Sequence, residues 1–141
     1  MYHLKRWKYY FHILHCMQQQ NAKEKSTFHD TLRQTADEFV HHIYALTRQF
    51  PQEEAFGVTS QLRRAALSVV LNYVEGFARN RERVYKNFLE ISFGSLQETK
   101  YLLSFAEREK YISKQEYDAL VPVGNKISAM LWGIIKKLPA S

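Results

Sequence analysis

Five polar residues at helical spacing, Arg64, Ser68, Asn72, Glu75 and Arg79, are the first place to look for chemistry in this 141-residue chain. Steps of three or four put them on one stripe of a helix, and large apolar residues flank that stripe. Ser95 and Glu98 stand beside Gly94 on a later helical segment. Two readings follow. In one, Glu75 and Glu98 form a catalytic carboxylate pair of the kind a hydrolase or nuclease uses. In the other, Arg64, Ser68, Asn72, Glu75, Ser95 and Glu98 form a polar network that fixes helix register or subunit contacts. Polar groups in cores are mostly satisfied by one another, which favours the network.

A second constellation is cationic. Arg63 lies beside Arg64, while Arg79, Arg81, Arg83 and Lys86 gather around a turn between two helical segments. Guanidinium groups hold phosphate oxygens through paired donors and give affinity without base specificity. Tyr85, in the same stretch, could stack on an exposed base. The opposing reading is a solvated charged corner paired with Glu82 and Glu90. No phosphate-binding glycine loop, nucleophile elbow or zinc-protease helix is present. His12, His15 and Cys16 are plausible metal donors but lack a second cluster at zinc-site spacing, so no metal and no cofactor are expected. His41 and His42 are adjacent and diverge on a helix, which suits surface or packing roles.

The elements that must position these residues are helical. Ala36, Phe39, Val40, Ile43, Ala45 and Leu46 mark one face of a helix over 30–48, which the Phe50-Pro51 step ends. Pro51-Gln52-Glu53-Glu54 opens a second, reaching about Arg79, with Leu62, Ala65, Ala66, Val69, Val70, Tyr73, Val74 and Phe77 as its apolar set. Gly57 and Gly76 within it signal close packing or a local bend. A third helix spans about 82–110, with Gly94 near its middle letting a neighbour approach. Ser113 and Glu116 form a capping box for the fourth, in which Pro122 predicts a kink or a displaced start. Short links between four such segments predict an all-α, antiparallel up-down four-helix bundle over 30–138, with an N-terminal leader (1–29) and a short tail (139–141).

Composition sets the outer bounds. Charged residues make up 24% of the chain and only five glycines and three prolines interrupt it, which suits one domain of long helices. Net charge is +6, of which the leader holds +4 through Lys5, Arg6, Lys8, Lys23 and Lys25 against Glu24. That excess permits nucleic-acid binding without requiring it. The single cysteine, Cys16, excludes an internal disulfide framework and fits a cytoplasmic protein. The apolar run from Trp7 to Met17 contains Lys8, His12 and His15 and is too short to span a bilayer, so stable membrane insertion is not expected. The leader's function is open, an upstream translated stretch without a role being one reading of it.

Several motifs in combination carry a resemblance. Phe50-Pro51-x-x-Glu54-x-x-Gly57, Gln61-Leu62-Arg63-Arg64-Ala65-Ala66-x-Ser68 and Asn72-x-x-Glu75-Gly76 are followed by Phe88-Leu89 and Gly94-Ser95-Leu96-x-Glu98. Lys110-Tyr111-Ile112 then stands where a Gly-Tyr-Ile turn is usual. Together, over roughly 30–138, these resemble the 23S ribosomal-RNA intervening-sequence proteins, the four helix bundle family related to accessory variability proteins of diversity-generating retroelements. The resemblance implies a ring-shaped homopentamer, RNA or DNA binding, association with a reverse transcriptase, and a contact surface including Arg63, Arg79, Arg81, Arg83 and Lys86. Two features depart from the pattern: the leader has no counterpart, and Val70-Leu71-Asn72-Tyr73-Val74 replaces a segment usually richer in isoleucine and alanine. The expected function is that of a non-enzymatic, oligomeric nucleic-acid-binding accessory protein. The alternative is a protein-interaction scaffold encoded by a ribosomal-RNA intervening sequence, without direct nucleic-acid binding.

Overall fold

The computed structural model describes residues 27–139, and among them are four α-helices and no strand. They are α1 (27–46), α2 (Val58–Phe77), α3 (Glu82–Arg108) and α4 (Lys114–Ile135). The chain divides into two compact units, Met1–Leu32 and Arg33–Ser141. The described part of the first, 27–32, is helical; all that follows concerns the second. The aromatic and basic residues through Lys25, with His12, His15 and Cys16, lie outside the described residues.

Each helix end has a local cause. After α1 the chain tightens into a 3-10 turn, Thr47–Gln49, and Phe50 turns extended ahead of Pro51. Thr47 Oγ1 donates to the Ile43 carbonyl at 2.9 Å, closing the last turn of α1. The second helix does not open at Pro51 as the acidic run predicts. Gln52–Glu54 forms a separate 3-10 turn, and α2 starts only at Val58. The Glu54 carboxylate accepts the Val58 N–H at 2.9 Å, so that acid serves α2 as a cap from outside the helix. A Cβ on Gly57 would run into the same carboxylate.

The end of α3 is a Schellman motif, with Tyr111 N–H donating to Ala106 O at 2.8 Å and Lys110 N–H to Glu107 O at 3.0 Å. The residue at its left-handed position is Lys110, with φ of 62°. Ser113 then caps α4: its hydroxyl accepts the Glu116 N–H, and the Glu116 carboxylate accepts the Ser113 N–H at 2.8 Å. Pro122 does not displace the start of α4, because this cap fixes it upstream and the proline is exposed.

Paired contacts establish the topology. Between α2 and α3, Arg64 meets Glu98, Ser68 meets Ser95, Ser92 meets the Val69 carbonyl, and Gly76 abuts Phe88. Numbers rise on one helix as they fall on the other, so the pair is antiparallel. The same holds for α3 and α4, where Lys86 meets Pro139, Phe93 meets Trp132 and Gln97 meets Ser128. Phe39 approaches Gly124, and Gln49 bonds Glu116, setting α1 antiparallel to α4. Arg63 reaches Thr47 and Tyr44, closing α1 against α2. The result is an up-down-up-down bundle.

Phe39, Ile43, Leu62, Leu89, Leu96, Ile127 and Leu131 are fully buried at its centre. On α2 the inward face is Leu62, Ala65, Ala66, Val69 and Tyr73. Val74 and Phe77, grouped with these by sequence, are instead 47% and 59% exposed. Apolar periodicity on α2 therefore marks two stripes, and only one faces the core.

Candidate nucleic-acid interface

The α2–α3 turn gathers the cations that sequence placed there. Arg81 and Arg83 are exposed and carry no ion pair among the described residues, whereas Arg79 is paired with Glu75 and lies 5.5 Å over the Phe88 ring. Lys86, one turn into α3, donates to the Pro139 carbonyl at 2.8 Å and keeps two further N–H donors. That bond brings the C-terminal end of α4 alongside, and with it the exposed Lys136 and Lys137. Sequence reasoning missed these two. A Lys-Lys pair in a last helical turn reads as a complement to the helix dipole, and only the antiparallel arrangement sets it beside the turn. The acids flanking the α2–α3 turn itself are Glu75, already paired, and Glu82. The α3 N-terminus also lacks a side-chain cap, so backbone N–H groups of its first turn add to the positive potential.

Arg63 does not belong to this surface. It stands on α2, sixteen residues before Arg79 just past the helix end, about 24 Å along the axis. Its Nε donates to Thr47 Oγ1 at 2.7 Å and its guanidinium lies 5.1 Å over the Tyr44 ring. Those contacts tie α2 to the end of α1. Consecutive residues on a helix diverge by 100°, so Arg63 and Arg64 serve different seams.

The polar line falls on the α2–α3 seam. Arg64 donates to Glu98 at 2.6 Å, Ser68 and Ser95 share a bond of 2.9 Å, and Asn72 Nδ2 donates to Ser68 Oγ at 2.9 Å. The line is not buried, since the Arg64 and Glu98 side chains are 60% and 41% exposed. Ionic attraction there is screened, and the geometry serves register more than stability. Glu75 stands apart from it, paired with Arg79. Gly76 abuts Phe88, so Glu98 lies ten residues beyond the α3 position facing Glu75, about 15 Å away. No carboxylate pair is formed by Glu75 and Glu98.

Tyr85 is packed, not presented. Its hydroxyl is buried without a hydrogen-bond partner, desolvation holds its pKa above the ordinary phenol value, and its ring edge lies 3.3 Å from where a Gly76 Cβ would stand. Gly76 does permit close approach: a Cβ there would lie 2.7 Å from Phe88 Cβ. Gly94 does not, because a Cβ would meet nothing within 4 Å. Its bare surface faces outward, on the same side of the bundle as Leu71 (58% exposed) on α2 and Ile91 (43%) on α3.

The opposite end differs in character. A cleft of about 450 Å³ there is lined by residues including Gln49, Glu107, Tyr111, Lys114 and Glu116. Glu53, Glu54, Glu109 and Asp118 lie near it in the chain, as do Arg48, Arg108 and Lys110, so acids and bases are mixed at this end. Among the described residues no helix is long and apolar enough to cross a membrane.

Comparison with known proteins places this arrangement in context. The profile of the 23S rRNA-intervening sequence protein matches residues 29–133. A crystal structure of a protein of unknown function from the S23 ribosomal protein family of Bacteroides thetaiotaomicron shares the fold, with a TM-score of 0.70 at 24% identity. The likeness covers 74% of this chain and 98% of that one. No curated protein matches the chain.

Proposed function

The chain belongs to the 23S rRNA-intervening sequence protein family, and from that premise we propose that it is a non-enzymatic, oligomeric nucleic-acid-binding accessory protein of the cytoplasm. The observation that carries this reading is the end of the bundle where Arg79, Arg81 and Arg83 are exposed and half-buried Lys86 bonds the chain just past the exposed Lys136 and Lys137. Phosphates held there are contacted by planar guanidinium forks and by the uncapped α3 N-terminus, a chemistry that gives affinity for RNA or DNA without reading bases. Self-association, which we take to be pentameric, repeats that end around a ring and multiplies a weak contact. The outward stripe of Leu67, Leu71 and Val74 supports such association. In a retroelement setting the bound strand is presented to a reverse transcriptase.

Binding of the purified full chain to a structured RNA and a matched DNA duplex, across a salt series, tests the proposal. Affinity should fall steeply with salt as counterions are released. Replacing Arg79, Arg81 and Arg83 together by alanine should lower affinity for every sequence and reduce the salt slope by about two to three, with the helical spectrum unchanged. Unaltered affinity in that variant removes the surface from the proposal.

A second reading has its own observation. The exposed stripe on α2 is apolar enough to hold a protein partner, which makes the chain a scaffold without direct nucleic-acid contact. A defined partner, such as a reverse transcriptase, retained after nuclease treatment and in high salt would favour it.

A further inference from the structure

A second surface of the bundle combines cations with an exposed aromatic ring. Trp132 on α4 is 53% exposed, and its ring is supported by Phe93 of α3 at 5.7 Å and 41°. On α3, Lys86, Phe93 and Lys100 recur at seven-residue intervals and so share one stripe. On α4, Ser128, Trp132 and Lys136 recur at four. The antiparallel register sets these stripes side by side. Gln97 Nε2 donates to Ser128 Oγ at 3.3 Å one turn from the aromatic pair, and the Lys100 stem lies against Gly124 beyond it. Along about 21 Å of seam, three lysines flank an aromatic pair and an amide–hydroxyl pair, with Glu90 the acid on that face of α3.

We propose that this α3–α4 seam is a stacking site for unpaired nucleotides, with Trp132 on a base and Lys86, Lys100 and Lys136 on the neighbouring phosphates. The inference rests on the nucleic-acid reading above and makes it specific for single strands. In a duplex the base faces are stacked inside, where a seam tryptophan cannot reach them; in a single strand every base has a free face. Lys86 belongs both to this seam and to the basic end, so a strand can run from one to the other without leaving positive surface. Two-fold pairing of this face with itself is disfavoured, because it brings lysines against lysines; a contact with a different face of a second copy is read out by oligomeric mass.

The test uses the full chain carrying Trp7→Phe, so that Trp132 is the one tryptophan and is excited selectively over the tyrosines, titrated with single-stranded oligothymidylate and with a duplex of equal length. Oligothymidylate should quench Trp132 emission saturably and the duplex should not. Trp132→Ala should lower single-strand affinity about tenfold, within the range of a lost stacking contact, with duplex affinity and oligomeric mass unchanged. Trp132→Phe should recover most of the loss, which separates stacking from a folding defect. If Trp132→Ala binds the single strand as wild type does, while the triple arginine variant loses both ligands, the seam is not the site and the nucleic-acid reading stands. If the wild-type chain binds neither ligand at low salt, both readings fall. A smaller oligomeric mass in Trp132→Ala makes the seam a contact between copies and overturns the proposal.

Discussion

Lys110 stands in the left-handed region with φ of 62°, at the position of the α3 terminus where glycine is usual. A side chain there costs about 1 kcal/mol relative to glycine. Lys110→Gly should therefore raise stability by about 0.5–1 kcal/mol, read as a higher urea midpoint at unchanged slope. Three residues on, Ser113 begins the reciprocal cap of α4 with Glu116. The Ser113 backbone N–H, the Gln49 amide and the Ser113 hydroxyl hold the Glu116 carboxyl below its ordinary pKa. A depressed carboxyl contributes stability above its unfolded value and loses it as pH falls through the folded one. Glu116→Gln should thus cost stability at neutral pH, and the gap to wild type should narrow as pH falls from neutral to below the ordinary carboxylate range. Urea unfolding at the two pH values checks the sign. Both features were legible as residue patterns, since caps and chain reversals are made by neighbours in sequence. The buried, unpartnered Tyr85 hydroxyl was not, because it depends on what α2 brings against it.

Helix existence followed from apolar periodicity, but which side of each helix faces inward was only partly readable. On α2, two apolar stripes compete, and burial of Ala65, Ala66 and Val69 leaves Leu71 and Val74 outside. The two helix-interior glycines, alike in sequence, separate on the same ground. Gly76→Ala should destabilise by about 1–3 kcal/mol, since the new methyl meets Phe88 Cβ, close to the α3 backbone. Gly94→Ala, with open space beside it, should be neutral or stabilising by up to about 1 kcal/mol in the protomer. Thermal unfolding of the pair measures the contrast, and an equal loss in both would show that α3 is approached from outside at Gly94.

For the whole molecule, antiparallel packing leaves exposed arginines at the α2–α3 end and an apolar stripe on one flank. If Leu67, Leu71 and Val74 make the contact between copies, replacing Leu71 and Val74 by glutamate should lower the mass seen by light scattering and leave the helical spectrum intact. Nucleic-acid affinity should fall with it, because fewer basic ends then act together. An unchanged mass would move the interface elsewhere.

The sequence alone determined four helices, the α4 cap, the turn at Phe50-Pro51 and the cationic run around Arg81 and Arg83, all consequences of spacing within one segment. It also carried the family through motifs spread over most of the chain. Tertiary structure decided what required two segments at once. It separated Arg63 from the other arginines and took Glu75 out of reach of Glu98. It brought the chain past Lys136 and Lys137 to Lys86 near the start of α3, and set Trp132 beside Phe93 between lysines. Periodicity specifies a face along one helix; which faces meet, and which remain to water, is settled only when the helices compete for a common core.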